Sequence, residues 1–353
     1  MIERRTFIKG SLATTAVAMT AQASTQAGKI KVGQIGTTHA HASGQLQTCR
    51  DLSDLYDVVG VVEPDADRRR QLSQTALYRG LPWLTEEELL STPGLQVVAV
   101  ETEVRDLLPT AQRCVDAGKH IHLDKPAGEL LQDLVQLHKT AREKDLKIQM
   151  GYMYRYNPAF RFLFEAVKQG WLGNVFEIDA VMSKTVNDST RRELTEYPGG
   201  SMFELGCHII DPLIHIMGPP QKVTAFNRAT RDDGLLDNAL AVFEYPEATA
   251  TIRSALVEVQ GNRRRQFIVC GDQGTIVIRP LEPPHLELTL AKPKGGFDKG
   301  HHTVELQPAK GRYHGAWEEL GAAIQGKREF PFSYDHDLAV QRSVLVASGL
   351  QAW

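Results

Sequence analysis

Two short segments concentrate the residue types that move protons and polarise oxygens. The first is Gly118-Lys119-His120-Ile121-His122-Leu123-Asp124-Lys125-Pro126, which ends a β-rich run with a carboxylate and an ammonium side by side. Pro126 biases Lys125 toward extended backbone, so the lysine has a defined direction at the carboxyl end of a strand. The second is Gly199-Gly200-Ser201-Met202-Phe203-Glu204-Leu205-Gly206-Cys207-His208-Ile209-Ile210-Asp211. There Glu204 lies one helical turn before His208 on the same face. An imidazole titrates near pH ~6.5 and can take or give a proton at neutral pH.

Elements must hold these groups. From Lys29 to about Met150, β-rich runs at 30–35, 57–62, 97–100, 120–123 and 148–150 alternate with amphipathic stretches. One stretch, Leu107 to Ala117, stops at Gly118; another starts at Thr85 with Glu88 three residues on, a capping box. Strand–helix alternation predicts a parallel, doubly wound sheet. After Gly151 the pattern changes. Helices are expected at 158–169 and 203–217, then strands at 223–226, 239–245, 248–255, 266–269, 275–278 and 286–290, and closing helices at 311–325 and 335–351. Short turns between successive strands predict a largely antiparallel sheet. The fold class is therefore α/β, a Rossmann-type parallel domain (29–150) followed by an α+β domain with a large open sheet (151–353). Lys292 to Gly300 reads as a flexible loop, and His301-His302 as part of it.

The first strand runs into Gly36-Thr37-Thr38-His39-Ala40-His41. A dinucleotide fingerprint would read Gly-x-Gly-x-x-Gly, and only Gly36 stands. Thr37, Thr38 and His39 could still line an anion site at a helix N-terminus. Glu63 ends the second strand, where an acid accepts from ribose hydroxyls and repels the extra phosphate of NADP. NAD is favoured on that ground.

Together these motifs resemble the family of glucose–fructose oxidoreductase and inositol dehydrogenase, over nearly the whole chain after residue 28. That family carries Glu-Lys-Pro after a strand and Gly-Gly-x-x-x-Asp-x-Gly-x-His-x-x-Asp opening a helix. The resemblance extends to Gly151-Tyr152-Met153-Tyr154-Arg155-Tyr156-Asn157-Pro158 and to the last helix from His336. It implies that Lys125 and Asp124 contact cofactor, that Lys125, His208 and Glu204 are catalytic, and that Tyr154, Arg155 and Asp211 contact substrate. It also implies a sugar or polyol substrate and a homo-oligomer, dimer or tetramer. Asp124 stands for the family glutamate and Glu204 for its aspartate. Tyr154 stands where many relatives have arginine, and Glu101-Thr102-Glu103-Val104-Arg105 replaces a Thr-Pro-Asn type loop.

The first residues, Glu3-Arg4-Arg5-Thr6-Phe7-Ile8-Lys9, resemble a twin-arginine signal, followed by a mildly apolar stretch and small residues at Ala21-Gln22-Ala23. Residues 1–28 are expected to direct folded export, by the twin-arginine machinery, to the periplasm or beyond. The apolar stretch is too short for a stable membrane anchor. An exported user of NAD should hold it tightly. Net charge is −3 over 353 residues, so no nucleic-acid partner is expected. Arg263-Arg264-Arg265 reads as a solvated strand edge. The cysteines 49, 114, 207 and 270 have no metal or redox spacing, and Cys49, Cys114 and Cys270 read as buried thiols. His39/His41 and His120/His122 lack diagnostic ligand spacing, so no metal is expected.

The leading expectation is an NAD-dependent oxidoreductase acting on CH–OH groups of a sugar or polyol. A redox-neutral glycosidase or lyase working through a keto-sugar is the alternative, and a non-catalytic sugar-binding homologue a third.

Overall fold

A computed structural model describes residues 28–352; the signal-like segment therefore lies almost wholly outside the described residues. The chain builds β1 (Ile30–Ile35), α1 (Ala42–Asp51), β2 (Tyr56–Val62), α2 (Ala66–Ser73), α3 (Glu86–Leu90), β3 (Leu95–Val100), α4 (Val104–Asp116), β4 (His120–Leu123), α5 (Leu131–Glu143) and β5 (Ile148–Met150). The five strands form one sheet in the order β2-β1-β3-β4-β5, every pair parallel. β1 and β3 are buried on both faces, as strands covered by helices must be. The capping box at Thr85 and Glu88 forms as expected. α4 presents Leu107, Leu108, Ala111, Cys114 and Val115 to the sheet. It ends in a Schellman turn: Gly118 takes φ 74°, and the N–H groups of Gly118 and Lys119 return to the carbonyls of Val115 and Cys114.

The second half builds α6 (Pro158–Lys168), β6 (Val175–Ser183), α7 (Asp188–Leu194), α8 (Cys207–Met217), β7 (Lys222–Arg228), β8 (Asn238–Glu244), β9 (Thr249–Ala255), β10 (Gln266–Gly271), β11 (Gly274–Leu281), β12 (Pro284–Leu290), β13 (Gly300–Val304), α9 (His314–Ile324) and α10 (Tyr334–Ala347). Its sheet runs β13-β12-β11-β10-β6-β9-β8-β7. All neighbours are antiparallel except the β6–β9 pair. β6, β13 and α7 were not expected from sequence. His301 and His302 lie in β13, not in a loop. The arginine run forms a short 3-10 turn in which Arg264 pairs with Glu258, and Cys270 is half-exposed rather than buried.

Most buried apolar side chains form one continuous core through both sheets. A satellite cluster sits beneath α9, which packs on the first sheet: Trp317 and Leu320 meet Ile30, Val32, Tyr56 and Val97. Trp317 Nε1–H donates to Gln45 at 2.8 Å, and Tyr56 O–H donates to the Trp317 carbonyl at 2.7 Å. This late helix ties the two layers together. Among the described residues no helix is long and apolar enough to cross a membrane.

Candidate functional site

The order β2-β1-β3 places a topological switch point between β1 and β3, the crevice where open α/β sheets bind ligands. Four strands end there. β1 delivers Gly36 and the loop to His41, β2 delivers Glu63, β3 delivers Glu101, and β4 delivers Asp124 and Lys125. A cleft of about 470 Å³ opens over these ends, lined among others by His39, His41, Lys125, Lys184 and Glu204.

Gly36 takes φ 88°, and a Cβ on it would lie 2.7 Å from the Glu101 carbonyl. The loops after β1 and β3 touch, so this glycine serves strand–strand approach. Thr37 donates its hydroxyl to Glu63, while Arg68 donates to Thr37 Oγ1 at 2.6 Å and lies 3.7 Å from Glu63. Glu63 also accepts from the Asp65 N–H at 3.0 Å and is 3% exposed. The carboxylate expected to meet a ribose is thus already engaged, and Arg68, unforeseen from sequence, stands over it. α1 has no acid in its first turn and no side-chain cap from His41; the Ala42 N–H is bonded to the His39 carbonyl at 3.1 Å, and the later N–H groups of the first turn point toward an anion position. A dinucleotide phosphate fits that donor set, with Thr37, Thr38 and Arg68 around it.

Lys125 is 3% exposed; its ammonium donates to the Glu204 carbonyl at 2.7 Å and lies 3.9 Å from the Glu204 carboxylate. Lys184, at the end of β6, donates to that carboxylate at 3.1 Å. Burial works to raise the Glu204 carboxyl, but the two ammonium groups hold it down to about 2. Burial likewise disfavours the Lys125 charge, and Cys207, Glu204 and Asp124 more than offset it. His208 is buried, and among the described residues its Nδ1 has no hydrogen-bond partner. Burial first, then the charge of Lys125, pushes it well below the ordinary imidazole range. It is a neutral base at physiological pH.

Local backbone explains how His208 is aimed. Gly199 and Gly200 have φ 87° and 53°, and a Cβ on Gly200 would lie 2.0 Å from the Leu236 carbonyl. A wide π-type turn at Met202–Gly206 follows, then α8. Such turns re-aim side chains at functional sites.

Three expected substrate contacts lie elsewhere. Arg155 and Asp211 are fully buried and bonded to each other at 2.7 Å; Arg155 also holds Asp337 at 2.6 Å, and His336 holds Asp211 at 3.0 Å. Most of their polar atoms are spent on one another in the core, with Arg155 Nη1 and Asp337 Oδ2 left without a partner among the described residues. Tyr154 is 0% exposed and stacks on Phe160. These three position the domain junction and do not line the cleft.

The switch point also gathers Asp124, His39, His41, Glu101 and His122. Asp124 accepts from the Lys125 N–H at 2.7 Å and lies 3.1 Å from both His39 Nδ1 and His41 Nδ1. Burial would raise it, but the two imidazoles hold it well below the carboxylate range. Burial, and then the charge of Asp124, pushes Glu101 well above that range. Sequence showed the Glu101 to Arg105 stretch as a departure in the loop after the third strand without assigning Glu101 a role; its contacts arise because β1, β3 and β4 end side by side.

Residues 30–152 match a family model described as an oxidoreductase family with an NAD-binding Rossmann fold, and residues 160–277 match the GFO/IDH/MocA C-terminal domain. The chain is 26% identical over 149 residues to scyllo-inositol 2-dehydrogenase (NADP(+)) of Bacillus subtilis, 42% of each chain. It is 24% identical over 236 residues to mouse (Mus musculus) trans-1,2-dihydrobenzene-1,2-diol dehydrogenase, 66% of this chain and 69% of that one. The chain spans between 42% and 59% of the length of the first curated relatives it matches. Among solved structures, aldose-aldose oxidoreductase from Caulobacter crescentus superposes with a TM-score of 0.76 at 20% identity, covering 91% of this chain and 98% of that one.

Proposed function

We propose, for a chain that belongs to the GFO/IDH/MocA oxidoreductase family, that it oxidises or reduces a CH–OH group of a sugar or polyol with a nicotinamide dinucleotide held at the switch point. The observations that carry this reading are a caged ammonium, Lys125, whose charge acts on the buried His208 imidazole, and the placing of that imidazole 6.0 Å from His41, with its Nδ1 free of partners among the described residues. When bound, the dinucleotide supplies the hydride acceptor or donor, and the chain's own groups do the rest.

His208 takes the hydroxyl proton as the carbon loses hydride. Lys125 hydrogen-bonds the same oxygen and stabilises the charge that develops on it. Glu204 and Lys184 keep that ammonium in place. Thr37, Thr38, His39, Asp124 and the N-terminus of α1 are the groups that would hold the dinucleotide, and Glu63 with Arg68 would meet the adenosine ribose. Glu63 favours NAD, and the chain would leave the cytoplasm folded with its cofactor bound.

The test is a panel of aldoses, aminosugars and inositols added to protein supplied with NAD or NADP, read at the nicotinamide absorbance band. At least one substrate is expected to give turnover that the Lys125→Met and His208→Asn variants lose. Absence of dinucleotide binding by titration, together with silence across the panel, refutes the proposal.

A further inference from the structure

His39 and Asp124, assigned above to holding the dinucleotide, also form with His41 a cluster of metal-ligating groups at the switch point. His39, His41 and Asp124 offer atoms that all lie within 4.8 Å of one another, and both histidine Nδ1 atoms are 3.1 Å from the same Asp124 oxygen. Around a tetrahedral cation with bonds of ~2.0–2.2 Å, neighbouring ligand atoms are separated by ~3.3–3.5 Å. The two imidazole–Asp124 separations, 3.1 Å each, are close to that spacing.

The hydrogen bonds fix which nitrogen is free. His39 Nε2 faces the Lys125 carbonyl oxygen at 3.1 Å; a carbonyl only accepts, so Nε2 carries the proton. The His41 backbone N–H points at His39 Nδ1 at 3.2 Å, so Nδ1 is an acceptor. A bare nitrogen lone pair then faces a carboxylate oxygen 3.1 Å away. At that distance the two atoms need either a proton on Nδ1 or a cation between them. An Nε2–H bonded to a backbone carbonyl is also the outer contact that orients metal-bound imidazoles.

Glu101 supplies an independent observation. It is 0% exposed, neither carboxylate oxygen has a hydrogen-bond partner among the described residues, and Oε2 lies 3.8 Å from His39 Nδ1. A buried carboxyl with no partner among the described residues is either protonated or matched by a counter-charge. Two carboxylates, Glu101 and Asp124, would be neutralised by one divalent ion.

We propose that His39 Nδ1, His41 Nδ1 and Asp124 bind one divalent transition-metal cation of the zinc class, with Glu101 as the charge-balancing fourth group and a remaining position open to the cleft beside Lys125. Two imidazoles with carboxylates suit zinc, cobalt or nickel; magnesium and calcium prefer all-oxygen shells. The His41 side chain, 15% exposed, gives the ion an entry path.

The site is tested by binding, with no dinucleotide or substrate present. Untagged full chain is stripped with a chelator, then titrated with Co2+ by visible absorption and with Zn2+ by calorimetry, and metal content is measured after gel filtration. One equivalent is expected at ~1 µM or tighter. His41→Ala should weaken binding ~100-fold and Glu101→Gln ~10-fold, with thermal melts recorded for both. Uptake well below one equivalent by the stripped wild-type chain overturns the proposal, and so does unchanged binding by folded His41→Ala. Either result means that His39 carries an extra proton and that the cluster is an ion pair. A chain that binds metal but no dinucleotide would refute the hydride reading and leave this one standing.

Discussion

Arg155→Met separates a core role from a substrate contact at one residue. The guanidinium is fully buried, bonded to Asp211 at 2.7 Å and Asp337 at 2.6 Å, with Phe332 4.1 Å from its centre. Methionine keeps much of the volume but leaves two buried carboxylates without their counter-charge, a loss of about 3–5 kcal/mol. Unfolding entropy of ~2.1 cal/mol/K per residue over about 325 residues makes each kcal/mol worth ~1.5 °C, so Tm should fall by ~4–8 °C. The pH dependence adds a check. Burial would raise the Asp211 carboxyl, but Arg155, with His336 and further bonds, holds it down to about 2. A depressed carboxylate contributes stability above its unfolded value of ~3.9 and loses it as pH falls toward the folded value. The gap between wild type and variant should therefore be full at pH 7 and narrow below pH ~4. Asp337, raised by burial, gains stability as it protonates on acidification, opposite in sign to Asp211. Differential scanning fluorimetry across pH 3–8 is the assay. If Tm moves by less than ~1 °C while substrate affinity collapses, Arg155 touches substrate and the core reading is wrong. Replacing Arg155, Asp211 and Asp337 together by apolar residues should recover most of the lost stability, because no buried charge is then stranded.

Three further outcomes follow from the site. Lys125→Met should lower kcat/KM ~10²–10³-fold while dinucleotide affinity changes less than ~10-fold, measured by steady-state rates beside fluorescence titration. Glu63→Ala removes a carboxylate next to Arg68 and should shift the NADP-to-NAD affinity ratio upward by ~10-fold or more; an unchanged ratio would mean the ribose does not reach this corner. Exchanging Arg4 and Arg5 for lysine should leave the protein in the cytoplasmic fraction; unaltered export would reject the twin-arginine reading.

Much of the frame was readable because local pattern and fold agree. β1, β4 and β5 fall on the expected residues, and the Thr85–Glu88 box and the Gly118 stop are local devices. What failed depended on distance. β6 was passed over although it forms the centre of the second sheet, since its partners β9 and β10 lie more than 70 residues on. Arg155 and Asp211 carried the right chemistry for substrate contact, but their exposure was set by Asp337, more than 120 residues after Asp211. Lys184 and Arg68 belong to the cleft only because the end of β6 and the first turn of α2 pack where they do.

The glycine-poor loop and the histidine cluster have one physical origin. In a Gly-x-Gly-x-x-Gly loop the second and third positions are left empty so that pyrophosphate and helix can approach the strand. Here Thr38 and His41 occupy those positions, and His41 Nδ1 reaches Asp124 at 3.1 Å. Side chains thus fill the volume the glycines would leave, and on the proposed reading a dinucleotide phosphate would lie further out, toward the first turn of α1 and Arg68. At the same time the inner end of the crevice becomes polar: Glu101 and Asp124 lie behind His39 and His41, with His122 Nε2 4.0 Å from Glu101. A nicotinamide ring seated there would face charge where an apolar wall is the usual lining. Restoring the loop by Thr38→Gly with His41→Gly should therefore tighten dinucleotide binding if the side chains only obstruct. It should instead destabilise the fold and abolish metal uptake if His41 is what balances Asp124. Titration of that double variant with NAD and with Co2+ decides between the two.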